Sequence, residues 1–549
     1  VARRRAQPLV RALLTLLCAL LALPVLGVLG AWLALDDAAW RTLAHQFDTV
    51  LPGYAAQSLL LAVCVGTGVA VLGAATAAAV TLFDFPGRRV FEWALLLPLA
   101  MPAYVLAYAY TDFLQFSGPL QTALRELTGA RGALWPDVRS LPGAVVLFVL
   151  CLYPYVYLLT RTALGERGVQ LMEAARLLGA GLHRRVLEVA LPLARPAIAA
   201  GVALALMETL ADYGVGAYFG LTTFSTGIYK AWLVMNDRIA AAQLASMLLV
   251  LVALLLWAER RAQGRLRFAT ARPGATQARE ARPVALRGRG VAAAWALCGL
   301  PVLLGFVLPV GVLLRMLWLE AVHAEFGLPL ARFAQWAAVS FQLAAVAAVA
   351  ATSLALALGF VLRTQAAGGG VGGRALGLGT RIVALGYAVP GAVIAVGILL
   401  PVGWVQARWP QAQLPTLVTG TLVGLLYAYL VRFSAVALQS VEAGYARVPR
   451  SIDDSARMLG ASRWRLLAEL HAPLLRRSAL AAALLVFVDV MKELPATLVL
   501  RPFGADTLAV VAYNFARDER LGEAALPSLA IVAVGLLPVM LLSRAMRQH

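Results

Sequence analysis

Lysine is almost missing from this sequence: among 549 residues it occurs only at Lys230 and Lys492. Neither follows a glycine, so there is no G-x-x-x-x-G-K-[ST] loop to cradle the phosphates of a nucleotide. Charge is scarce too. Only 14% of the residues are charged and 61% are hydrophobic, a composition outside that of soluble domains. Neither H-E-x-x-H nor G-x-S-x-G occurs, which removes two routes to an intramembrane enzyme. The four cysteines, Cys18, Cys64, Cys151 and Cys298, lie in or beside apolar runs without metal-ligand spacing, and read as small packing residues. His183 and His471 have no nearby histidine in the sequence and are read as surface contact residues.

What is present in quantity is apolar sequence. Stretches of about 20 residues, enough to cross about 30 Å of hydrocarbon as helix, recur over 12–35, 58–83, 91–111, 142–163, 193–219, 240–258, 291–318, 337–362, 382–404, 415–438, 478–500 and 524–543. The runs are continuous rather than alternating, so helices are expected and a barrel is not. The fold class expected is therefore an all-α polytopic membrane protein with about 12 transmembrane helices.

The formal net charge of +19 sits between the apolar runs rather than on a basic folded surface, so no nucleic-acid partner is expected. Arg3, Arg4, Arg5 and Arg11 precede the first run, Arg88 and Arg89 follow the second, and nine arginines lie in 259–290. By the positive-inside rule these segments face the cytoplasm. Alternating the spans puts 161–192, 363–381, 439–477 and the Arg544/Arg547 tail on the same side. A multi-pass membrane protein with both termini cytoplasmic is expected.

The sequence also repeats itself. At a constant offset of 281, Glu173 maps to Asp454, Gly179 to Gly460, Pro192 to Pro473, Glu208 to Asp489 and Thr226 to Thr507. Upstream the offset drifts: Met101-Pro102-Ala103 matches Val389-Pro390-Gly391, and Tyr153-Pro-Tyr155 matches Tyr427-Ala-Tyr429. The division expected is a first six-span half over 1–258, a basic cytoplasmic linker over 259–290, whose charge suits anionic headgroups, and a second half over 291–549. Six is even, so the halves enter the membrane in parallel orientation.

Two loops carry the pattern that decides the class. Over 168–192 the first reads Glu173-Ala174-Ala175-Arg-Leu-Leu-Gly179, nine residues, then Val189-Ala-Leu191-Pro192. Over 449–473 the second reads Asp454-Ser455-Ala456-Arg-Met-Leu-Gly460, nine residues, then Leu470-His-Ala472-Pro473. Small residues let a short helix lie close to a partner, glycine permits a sharp turn, and proline starts the next span. The first loop resembles at every defined position, with Val for Ile, the EAA signature of permeases in binding-protein-dependent ATP-binding-cassette importers. The second departs by Asp for Glu, Ser for Ala and Ala for Leu.

The resemblance implies the type I importer permease fold and a coupling role for Glu173, Ala174, Ala175, Gly179, Leu191, Pro192, Asp454, Ser455, Ala456, Gly460 and Pro473. It also implies two copies of a separate ATPase subunit, one on each loop, and a periplasmic solute-binding protein. This chain then binds no cofactor and is not an enzyme; ATP and magnesium belong to the partner ATPase.

Further segments resemble the fused two-half ferric iron permeases of this superfamily: Tyr153-Pro-Tyr-Val-Tyr157, Met207-Glu-Thr-Leu-Ala-Asp-Tyr-Gly214, Tyr218-Phe-Gly220, Val488-Asp-Val-Met-Lys-Glu-Leu-Pro-Ala-Thr497 and Asp518-Glu519-Arg520. They imply ferric iron as cargo. Thiamine, sulfate, polyamine or phosphonate import by the same class is the alternative, and an ion-coupled secondary transporter, for which paired EAA loops have no role, a more distant one.

Glu208 and Asp489 hold equivalent places in spans five and eleven, where an ionised acid costs about 2.5–3.5 kcal/mol. With Asp212, Lys492 and Glu493 they are candidates for the translocation path, and Glu208 and Asp489 could ligate ferric iron in transit, since hard cations take oxygen ligands. The structural alternative pairs Asp489 with Lys492 on one helix face. Tyr104, Tyr108 and Tyr110 could also offer phenolic oxygens, although tyrosines near a membrane face commonly act as interfacial anchors.

Overall fold

A computed structural model describes residues 2–34, 37–264, 283–323, 328–365 and 371–547. Residues 265–282 of the expected linker lie outside the described residues, as do the side chains of Arg3, Arg4, Arg5, Arg11, Arg544, Arg547 and residues 166–170. Almost all the described chain is helical, because in lipid a helix satisfies its own backbone groups. A two-residue parallel pairing, Phe83–Asp84 with Val284–Ala285, is the only sheet among the described residues.

Ten of the described helices are long and apolar enough to cross a membrane, and eleven if one bent pair counts as a span. In that pair Arg88–Ala100 and Ala103–Thr128 meet at 90°. The bend falls at Met101-Pro102, where Pro102 has φ −61° and ψ 142° and leads the next helix from extended backbone. Pro390 repeats this with φ −59° and ψ 143°. Both follow a short 3₁₀ turn, Leu97–Ala100 and Gly386–Ala388. The eleventh apolar run, 478–500, becomes the helix Ala472–Lys492, a break and the short helix Pro495–Leu500. Arg476, Arg477, Asp489 and Lys492 lie on the longer helix, which is not among the ten to eleven spans counted by length and apolarity in the described residues.

The helices gather into two compact units, and each unit draws segments from both halves of the sequence. One holds Val1–Ala44, Ile228–Ser246 and Leu330–Val510; the other holds His45–Gly227, Met247–Pro329 and Val511–His549. In the first, the helix Ala2–Gly30 lies along Val371–Val383 and Gly391–Arg408. The approach is close enough that a Cβ on Gly397 would come within 2.0 Å of the Pro24 carbonyl oxygen. In the second, Leu308–His323 packs on Leu521–Arg547, and Leu51–Leu82 packs on Leu141–Leu177 and Leu191–Ala211.

The repeat is visible in hydrogen bonds as well as in sequence, with one correction. The Ser58 hydroxyl accepts from Phe224 N–H at 3.0 Å where the helix Phe224–Tyr229 starts, and Ser340 accepts from Leu508 N–H at 2.8 Å where Leu508–Arg517 starts. The residue before each helix is Thr223 or Thr507, and each accepts from the N–H three residues on, at 3.4 Å. Thr507 therefore corresponds to Thr223 and not to Thr226. Three additional residues in the second half end the constant offset before this point.

Candidate functional site

Each loop is an elbow built the same way. In the first, the helix Leu141–Leu177 carries Glu173, Ala174 and Ala175 on its last turns and ends at Leu178 and Gly179. Gly179 has φ +84°, and its N–H donates to the Arg176 carbonyl at 2.9 Å while Ala180 N–H donates to Ala175 at 3.0 Å. The second repeats this on the helix Arg450–Met458: Gly460 has φ +80°, its N–H meets the Arg457 carbonyl at 3.0 Å, and Ala461 N–H meets Ala456 at 3.0 Å. This pair of bonds is the Schellman closure, which needs a left-handed residue just past the helix. A Cβ at either glycine would meet nothing within 4 Å, so glycine is required by backbone angle and not by space.

Beyond the turn, both elbows leave through a widened helix, Arg185–Ala190 in one and Leu466–His471 in the other. Leu191 N–H reaches Val186 and Ala472 N–H reaches Leu467, each five residues back. Pro192 and Pro473 follow at once. Proline has no N–H to give the carbonyl four residues earlier and crowds it, and opening the turn relieves the crowding. Solvent-exposed pairs Arg184–Glu188 at 3.0 Å and Arg465–Glu469 at 3.1 Å flank the two elbows at one offset.

What the turn displays was missed from sequence. Leu177 and Leu178 are 85% and 88% exposed, and Met458 and Leu459 are 90% and 87% exposed. Two apolar side chains at the outermost point of a polar elbow are costly in water and mark a contact surface. The 281-residue offset relates these four as it relates the glycines beside them, so the signal was in the sequence. Glu173, Ala174, Asp454 and Ser455 are exposed beside them, Ala175, Ala456, Leu191 and Pro192 are half-buried, and Pro473 is exposed. Asp454 pairs with Arg457 at 3.2 Å.

The inner faces of the two elbows differ. Met172 and Ala190 of the first join Ala78, Leu82, Leu164 and Ala194 in an apolar cluster. At the same offset the second has Asp453 and His471, only 3% and 1% exposed. Arg363, near the end of the helix Leu330–Gln365, answers them. Its Nε donates to Asp453 Oδ2 at 2.7 Å and its Nη2 to Oδ1 at 3.3 Å. Nη1 donates to the Tyr445 carbonyl at 3.0 Å, and Nη2 to those of Val448 at 2.9 Å and Pro449 at 3.1 Å. His471 Nε2 lies 3.4 Å from Asp453 Oδ1, with the ring against Phe360 and Tyr445. A cavity of about 410 Å³ opens beside Arg363, Tyr445 and Glu442.

The path candidates fall into two kinds. Asp212 and Glu493, equivalent by the offset, are helix caps: Asp212 Oδ1 accepts from Val215 N–H at 2.8 Å, and the Glu493 carboxylate accepts from Ala496 N–H at 2.8 Å and Thr497 N–H at 3.0 Å. Glu493 is buried and also lies 3.5 Å from Arg432. Asp489 and Lys492 are brought together at 3.4 Å, both about one quarter exposed. Glu208 is half-buried one turn before Asp212, and the residue corresponding to Lys492 is Ala211. Glu208 and Asp489 belong to different compact units.

Among known proteins, the family of binding-protein-dependent transport system inner membrane components matches residues 70–268 and again 366–549, so each match contains one elbow. The Fe(3+)-transport system permease protein FbpB 2 of Haemophilus influenzae is 24% identical over 538 residues, 97% of this chain and 98% of that one. A putative 2-aminoethylphosphonate transport system permease protein of Salmonella typhimurium is 32% identical over 157 residues, 29% of this chain and 56% of the relative. The molybdenum transport system permease protein ModB of Escherichia coli is 32% identical over 135 residues, 25% of this chain and 57% of the relative. The two matches to the shorter relatives thus span just over half of their length. With the family pattern met twice, once around each elbow, this chain belongs to the inner membrane components of binding-protein-dependent transport systems.

Proposed function

We propose that the chain is the membrane subunit of an ATP-binding-cassette importer for ferric iron, loaded by a soluble binding protein and driven by two copies of a separate ATPase, one at each elbow. The observation that carries the coupling role is the exposed apolar pair at each turn, Leu177/Leu178 and Met458/Leu459. The elbows and both termini face the cytoplasm, as the arginine distribution favours. ATP and magnesium stay on the ATPase, and this chain binds no cofactor. In favour of iron is the likeness over nearly the whole chain to a relative named for Fe(3+) transport. Partial likeness to phosphonate and molybdenum permeases favours an oxyanion as the second reading.

Glu208 and Asp489 are proposed path acids that ligate iron in passing. Lys492 lies 3.4 Å from Asp489, and Ala211 stands in the corresponding place beside Glu208. Reconstitution with the ATPase and the binding protein in proteoliposomes tests the whole. Iron accumulation requiring internal ATP is the expected result, and Glu208→Ala slows it without loosening the ATPase. Accumulation from an ion gradient by this chain alone would favour a secondary transporter, and ATP-driven uptake of molybdate or phosphonate in place of iron would favour the oxyanion.

A further inference from the structure

Beyond the elbows, one polar cluster in the second compact unit has no place in the coupling argument. Tyr104 and Tyr108 come from the helix Ala103–Leu114, Tyr213 and Tyr218 follow the break at Asp212, and Tyr513 comes from Leu508–Arg517. The Tyr104 and Tyr108 rings are 5.8 Å apart, Tyr108 stands edge-on to Tyr218 at 4.9 Å, and Tyr213 and Tyr513 are 5.7 Å apart. Tyr513 Oη donates to Tyr213 Oη at 3.2 Å.

Tyr108 is the anomaly. It is wholly buried, and its hydroxyl has no hydrogen-bond partner among the described residues. The groups within electrostatic reach of that hydroxyl are Tyr104, Tyr513, Tyr218 and Asp212. Packing alone would be served by phenylalanine, since a buried hydroxyl without a partner loses its hydration for nothing. Two cations are near. Arg517 is within electrostatic reach of Tyr513 and lies 3.4 Å from Asp518; Arg139 donates to the Tyr218 hydroxyl at 3.0 Å but is held by both oxygens of Glu519 at 2.8 and 2.9 Å. The cluster therefore takes no net positive charge from Arg139.

We infer that Tyr108, Tyr213, Tyr513 and Asp212 form a binding site on the translocation route for a hard trivalent cation. The inference rests on ferric iron being the cargo. Phenolic and carboxylate oxygens suit a hard ion. Capture exchanges the phenolic protons of Tyr213 and Tyr513 for the cation and releases both protons to water, while Tyr108 contributes its neutral oxygen. Two phenolates and the Asp212 carboxylate then balance three positive charges, and no electron changes hands. Because the ligands must lose protons, occupancy rises with pH.

The test uses the full chain in lipid nanodiscs, titrated with ferric nitrilotriacetate and followed by the visible ferric–phenolate charge-transfer band. The wild type is expected to develop the band, the Tyr213→Phe/Tyr513→Phe double variant to lose it, and Tyr108→Phe to bind roughly tenfold more weakly. Tyr54→Phe, which alters a tyrosine packed on Gly227, leaves it unchanged. Asp212→Asn keeps a capping side chain while removing the charge, and is expected to weaken binding even if a tyrosine variant misfolds. A band that persists in the double variant, or no band in the wild type while the assembled importer still accumulates iron, overturns the site and leaves the cargo standing. An importer that carries molybdate and refuses iron overturns the cargo and the site together.

Discussion

The first elbow presses Met172 and Ala190 into an apolar cluster, while the second, with the same turn, the same widened helix and the same exposed tip, buries Asp453 and His471 against Arg363. One backbone is thus held by two unlike chemistries. An apolar contact is tolerant of direction, whereas the guanidinium with five donated bonds fixes the second elbow to the ends of two other helices. Taking such a pair from water costs several kcal/mol per ion, and its attraction repays this only with good geometry. The comparison teaches that the second elbow is specified in position more than it is stabilised.

The largest effect expected comes from Asp453→Ala, which strands Arg363 as a buried charge and costs about 3–5 kcal/mol, read as thermal unfolding of the purified protein. Met172→Ala in the first elbow is expected to cost about 2–5 kcal/mol by leaving a cavity, with faster hydrogen exchange confined to that elbow. Grafting the apolar design onto the second elbow, as Arg363→Leu/Asp453→Met/His471→Ala, is expected to be neutral or to stabilise by about 1–4 kcal/mol. A large loss in that triple variant would show that the ionic contact contributes net stability and would break the comparison.

Smaller effects test what the elbows share. Gly179→Ala and Gly460→Ala each place a side chain at positive φ, at about 1–2 kcal/mol, and both are expected to reduce ATPase retention in a pull-down to a similar degree. Unequal losses would mean that one elbow dominates coupling.

Acid separates the two most finely. Burial holds the His471 imidazole below its ordinary range, with Asp453 partly offsetting and Arg363 and Arg457 adding to it. A histidine with a depressed folded-state pKa binds fewer protons folded than unfolded, so its contribution is full above the ordinary value of about 6.5 and is lost as pH falls from there toward the folded value. Protection of the second elbow against hydrogen exchange, referred to the intrinsic rate at each pH, is expected to fall as pH drops below about 6.5, and His471→Ala to abolish the change, while the first elbow, with Ala190 in that place, stays level.

The sequence made the helices and the turns readable, because a span is a matter of local apolar length and a Schellman turn demands glycine at one position. It did not reveal the Arg363 clasp, whose partners come from separate helices that no local periodicity relates. Asp453 was overshadowed by its neighbour Asp454, which fits the motif but faces solvent. Glu493 reads from the sequence as a path candidate because an acid beside Pro495 in an apolar run signals function. Only geometry shows its carboxylate spent on the N–H groups of the next helix. The right-angle bend was legible in hindsight at Met101-Pro102, as proline sets the residue before it in extended backbone.

The seating of Gly27 and Pro24 against Gly397 has a bearing on how the protein is made. At about 5–20 residues per second, a ribosome finishes the N-terminal helix tens of seconds before its resting place at Gly391–Arg408 has been synthesised. During that interval the helix waits in the bilayer with its permanent neighbours still unborn. Biogenesis must therefore tolerate a long-lived orphan segment, and a chain stalled at mid-length would leave it as bait for quality-control proteases.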